Sequence, residues 1–108
     1  MEKFKKVSDA LQFSGDKMKK NGLFETDRMF CDLYCLEPDQ AQAVHAHEGL
    51  DKVYFVLRGK GLFQIGGEVR ELEKDEIALA PSGESHGVKN QGPDQLVLLV
   101  TVAPKPLH

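Results

Sequence analysis

The sequence predicts an all-β domain, a barrel or sandwich of short strands. Apolar runs such as "VYFVL" and "LVLLVTV" are brief and rich in β-branched and aromatic residues, which suits a pleated surface better than a helix. Turn chemistry separates them: "EPDQ", "HEGLD", "RGKG", "IGGE", "EKDE", "PSGES" and "NQGPD". Short strands with such punctuation mark a sandwich or barrel. The 108 residues give room for one domain with one modest core.

The elements follow in order. Residues 1–22 are polar and broken by Gly15 and Gly22. They read as an N-terminal extension or edge segment, with a short helical turn at "SDALQF" or an edge strand. Residues 23–108 form the barrel. Strands are expected near 23–36, 41–47, 52–58, 61–65, 68–72, 76–80, 86–90 and 96–103. Gly66–Gly67 fits a two-residue hairpin turn with positive φ. "PSG" at 81–83 fits a tight turn. Asn90 is expected to end a strand or shape a turn.

Composition narrows the function. Hydrophobic residues are 41% of the chain and charged residues 29%, as in soluble globular proteins. A net charge of −3 and a pI near 5.8 give no reason to expect nucleic-acid binding, and the N-terminal lysines are diluted by Glu2, Asp9 and Asp16. No apolar run is long enough to span a bilayer. The start, "MEKFKKVSDALQF", lacks the apolar stretch of a secretory signal. A cytoplasmic protein with no nucleic-acid or membrane partner is expected. Cys31 and Cys35 on one strand would lie roughly 13 Å apart, too far for a disulfide, and are expected to be reduced apolar residues.

The polar residues that carry chemistry are histidines. His45 and His47 in "QAVHAHEG" are two apart, which on a strand puts both imidazoles on one face. His86 follows the Pro-x-Gly turn of "APSGESHGVKN" and opens a later strand that could reach the same interior. The fourth histidine, His108, stands at the end of the sequence and is left out of the cluster.

These residues resemble two motifs of the cupin superfamily. "HAHEGLDKVYFVLRG" supplies His45, His47 and Gly59 of the first, and "DEIALAPSGESHGVKN" supplies Pro81, Gly83, His86 and Asn90 of the second. Asp75 stands where the second motif begins with glycine. The resemblance covers roughly residues 30 to 103. It implies a single-domain double-stranded β-helix, or jelly-roll, barrel. It also implies that His45, His47 and His86 hold one divalent transition metal: Zn, Fe, Ni, Mn or Cu, all suited to neutral imidazoles. Small cupins commonly pair, so a homodimer is expected, through edge strands or a swapped N-terminal segment.

One position departs from the pattern. Counting back from Gly59 to the glutamate of the first motif reaches Lys52. Strand alternation from the glycine end would point Lys52, Tyr54 and Val56 inward. Asp51 would be a ligand only if the loop shortened and the register shifted by one. At about 4 Å and an effective dielectric of about 20, an ammonium and a divalent cation repel by on the order of 8 kcal/mol. Lys52 is therefore expected outside the metal's ligand set, paired with Glu48 or Asp51 at the barrel mouth; a neutral Lys52 and a metal-free barrel are the other two outcomes. Lys52, Asp51, Glu48 and Tyr54 are the candidates for the pocket or its rim. The function expected is binding or transformation of a small organic molecule, with oxygen-dependent oxidation of a chelating substrate as the enzyme form. A dioxygenase-like or isomerase-like cupin, a non-catalytic ligand sensor and a metal-free structural barrel all remain open.

Overall fold

Strand formation follows the alternation of side chains, and the computed structural model, which describes residues 2–106, carries nine strands among them. They are β1 (Lys19–Glu25), β2 (Phe30–Leu36), β3 (Ala41–His45), β4 (Asp51–Arg58), β5 (Lys60–Ile65), β6 (Glu68–Glu73), β7 (Ile77–Ala80), β8 (His86–Lys89) and β9 (Leu96–Ala103). In β4, Lys52, Tyr54 and Val56 are buried and alternate with more exposed neighbours. That is the period-2 pattern of a strand with one face on the core.

The strands form two antiparallel sheets in the orders β1-β2-β9-β4-β7 and β3-β8-β5-β6. Their inner faces share one core that includes Tyr34, Tyr54, Phe63, Leu72, Val88 and Leu98. Glycines shape two of the turns. Gly66 has φ of 59° in the two-residue β5–β6 hairpin. Gly59 has φ of 82° between β4 and β5, and a Cβ there would run into the Gln95 carbonyl. Asp75 has φ of 72°, the left-handed backbone a glycine would take most easily.

The stretch expected as one strand over 23–36 is two. Thr26 N–H donates to Met29 O at 3.0 Å and Arg28 N–H to Thr26 Oγ1 at 3.1 Å. This local threonine turn reverses the chain, and β1 pairs back on β2. β1 thus crosses position 22, where the sequence reading divides extension from barrel. A turn of 3₁₀ helix, Val7–Ala10, precedes it. Asn21 Nδ2 holds this segment by donating to Ala10 O and Gln12 O. Leu11 and Phe13 cover Leu33, Cys35 and Val97 on the outer face of the larger sheet. Hence β2 buries four consecutive residues, Leu33 to Leu36: both of its faces are covered. Cys31 and Cys35 are free thiols, and burial pushes the Cys35 thiol up.

Candidate metal centre

A β-bulge aims the first histidine. β3 pairs with β8 as Ala41↔Lys89 and Gln42↔Val88, then shifts by one residue to His45↔His86. Without the extra residue, Gln42 and His45 would face opposite sides. With it, Gln42 is buried, Ala43 and Val44 turn out, and His45 turns in, as expected of a bulge that re-aims a side chain. Gly87 permits the close approach, since a Cβ there would lie 2.8 Å from Gln42 O and 3.0 Å from Val44 Cα.

His47 lies in the loop after β3, and that loop is latched to the turn before His86. Gly83 N–H donates to His47 O at 2.9 Å, Gly49 N–H to Ser82 Oγ at 2.7 Å, and Ser82 N–H to Asp51 Oδ1 at 3.0 Å. The Glu48 carboxylate rests against Gly83. These contacts join the two halves of the histidine pattern.

The three imidazoles converge. One ligand nitrogen from each of His45, His47 and His86 lies within 4.8 Å of the other two. Ring centres are 4.6 Å apart for His45–His47, 4.4 Å for His45–His86 and 5.9 Å for His47–His86. Nitrogens already drawn onto one ion, with bonds of about 2.0–2.1 Å, would stand closer, about 3–4 Å apart. His86 is buried, His45 half-buried and His47 exposed, so the cluster opens to solvent on the His47 side.

The hydrogen bonds set the tautomers. His86 Nδ1 lies 3.0 Å from Glu84 O and His45 Nδ1 2.8 Å from Ala43 O. A carbonyl only accepts, so each Nδ1 carries a proton, and Nε2 is the atom that bears the lone pair whenever the ring is neutral. His86 Nε2 is buried with no hydrogen-bond partner, an arrangement that is costly unless a ligand takes the lone pair. Burial, with the charges of His45 and Lys52, holds His86 below the usual histidine range, and the same causes act on His47. Three converging imidazoles, one of them with an orphaned Nε2, fit a divalent transition metal.

Beside the cluster lies a cavity of about 290 Å³, lined by His45, His47, Lys52, Lys20, Asp32 and Tyr34 among others. Lys52 is only 4% exposed. Its Nζ sits 5.0 Å from the Tyr34 ring centre and 5.1 Å from that of Tyr54, within cation–π range. Burial, then the charge of Lys20, lowers its pKa to about 7, with Asp32 acting the other way. The pairing expected with Glu48 or Asp51 is not found: both acids are engaged with the Ser82–Gly83 turn instead, and the ion pair among the described residues joins Lys105 to Glu25. Asp51 is outside the histidine cluster. Tyr54 is fully buried beneath the site and donates to Gln42 Oε1 at 2.6 Å. Asn90 bonds to Leu36 O, Asp94 O and Gly92 N–H, a structural role. His108 lies outside the described residues.

Sequence reasoning missed the opposite wall: Lys20 on β1, and Asp32 and Tyr34 on β2. A signal was present, since Asp32 is the one charged residue inside the apolar run "FCDLYCL". Desolvation pushes its carboxyl above the usual range.

Known proteins share this architecture. The crystal structure of TT1209 from Thermus thermophilus is 42% identical with a TM-score of 0.93, covering 95% of this chain and 98% of that one. A conserved protein with a double-stranded β-helix domain from Klebsiella pneumoniae is 26% identical with a TM-score of 0.88, covering 94% and 84%. The oxalate-binding protein of Thermotoga maritima is 28% identical over 85 residues, 79% of this chain and 69% of that protein. The family model described as "Cupin domain" matches residues 32–102, from within β2 to within β9 and across all three clustered histidines, so the chain belongs to the cupin family.

Proposed function

We propose that this chain is a metal-binding cupin that takes a small organic chelator into the cavity beside His45, His47 and His86. The observation that carries the reading is the convergence of three imidazoles with an orphaned, buried His86 Nε2. When bound there, a divalent ion supplies Lewis-acid polarisation of a ligand oxygen. The protein's own part is to orient the imidazoles, to wall the cavity with the apolar Leu50 and Phe30, and to present the Lys52 ammonium at the cavity wall. A small-molecule ligand is supported by the relative named for oxalate binding. An oxygen-dependent oxidation of the chelated molecule is the enzymatic form of this reading, and a carrier or sensor the non-catalytic form.

Elemental analysis of protein purified without a histidine tag tests the metal. Oxygen uptake with diketones, catechols and thiols separates enzyme from carrier: ligand binding without uptake favours the carrier.

The proposed assembly is a homodimer in the cytoplasm. Ile77 and Leu79 on the edge strand β7 are 63% and 56% exposed, beside half-buried Val53 and Phe55 on β4. An apolar edge of this kind invites pairing. A sedimenting species of only 12.0 kDa at micromolar concentration would contradict it. Among the described residues no helix is long and apolar enough to cross a membrane.

A further inference from the structure

Two ammonium groups each approach the ring of one tyrosine. Lys52 Nζ lies 5.0 Å and Lys20 Nζ 5.3 Å from the Tyr34 ring centre. The placement is built by the fold: Lys20 is paired with Tyr34 in the β1–β2 ladder, and Lys52 comes from β4 with its side chain buried. Both line the cavity onto which His45 and His47 open. Among the described residues Asp32 is the only carboxylate on that wall, and no ion pair joins it to either lysine. A divalent ion on the histidines would add two more positive charges. The cavity therefore holds an excess of positive charge, and at the buried Lys52 solvent screens it little.

We propose that Lys52 and Lys20 together receive a carboxylate of the ligand, so that the site takes a short dicarboxylate, one end on the histidine-held ion and the other on the two ammoniums. This rests on the metal-dependent reading of the cavity given above. A buried ammonium with no ion-pair partner is held at a cost, and an incoming carboxylate supplies both the missing charge and a charge-assisted hydrogen bond. The cavity volume of about 290 Å³ lies at the small end of ligand sites, which favours a short molecule. Lys52 would be a binding residue, selecting for the second carboxylate without touching the ion.

Calorimetric titration with succinate and with monomethyl succinate isolates that second carboxylate, since the two share one free end. Wild type, nickel-loaded, should bind succinate at least tenfold more tightly than the monoester. The gap should close in Lys52→Met and narrow in Lys20→Met. Lys20 is exposed, so its variant keeps the test in hand if Lys52→Met fails to fold. Equal affinity for the two ligands, a gap that survives Lys52→Met, or binding of inorganic phosphate without succinate would each overturn the proposal. Nickel titration of the same proteins separates the two layers. If nickel does not bind, the metal reading fails, and the succinate preference of the metal-free protein still decides the role of the lysines. If nickel binds and the preference is absent, only the lysine assignment falls.

Discussion

Replacing Lys52 by methionine should make the metal-free protein more stable, and the gain should depend on pH. Lys52 is 4% exposed, and its pKa falls from 10.5 to about 7, chiefly through burial. At 1.36 kcal/mol per decade that fall corresponds to roughly 5 kcal/mol. The sign follows from proton binding. Between about pH 7 and 10.5 the unfolded chain holds a proton on Lys52 that the folded chain has lost, so Lys52's contribution to stability rises with pH across this window. Below about pH 7 both states are charged and the folded state carries the whole penalty. Methionine keeps the length and apolar stem but forfeits the contacts with Tyr34 and Tyr54, worth about 1–2 kcal/mol. At pH 6 the variant should therefore be more stable by about 3 kcal/mol, and the advantage should vanish by pH 10. Urea unfolding of both proteins at pH 6, 8 and 10, without metal, measures it. Lys20, Asp32, Tyr34, Tyr54, His47 and His86 also face or influence Lys52, and taking the difference between two proteins that both carry them removes most of their own titration. A stability difference that stays constant from pH 6 to 10 would refute the reasoning.

Lys52→Glu should tighten nickel or zinc binding by at least about tenfold, because a carboxylate adds a ligand and removes a repulsion; an unchanged or weaker affinity in a direct titration would place position 52 away from the ion. Gly59→Ala should lower stability by at least about 2 kcal/mol, from its φ of 82° and the collision with the Gln95 carbonyl, and a shift in urea midpoint reports it. Asp75→Gly should leave stability unchanged or raise it by up to about 1 kcal/mol, because glycine relieves the left-handed backbone at φ of 72° but loses more entropy on folding; thermal unfolding measures the balance.

The strands were legible where one face packs on the core. β4 was legible as a short apolar run rich in β-branched and aromatic residues, and Gly59 at its end fixes the register that buries Lys52. The break at 26–29 was not legible, because a threonine turn between two apolar runs leaves no glycine or proline to mark it. His45 and His47 could be paired by spacing, but the bulge that turns His45 inward depends on how β3 meets Gly87 of β8, a contact between distant segments. Pairing of β1 with β2 brings Lys20 and Asp32 to the cavity from residues 12 positions apart, and local patterns do not encode it. Glu48 and Asp51 are near Lys52 in sequence, but the latch to Ser82 and Gly83, again a contact between distant segments, decides their partners.

The central claim is that His45, His47 and His86 hold one divalent ion. Titrating metal-free, untagged protein with nickel, for wild type and for His45→Ala, His47→Ala and His86→Ala in turn, tests it most directly, with circular dichroism confirming that each variant is folded. Wild type should bind one ion per chain, and every folded variant should bind at least about a hundredfold more weakly. A wild type that binds no ion, or a folded variant that binds as tightly as wild type, would contradict it.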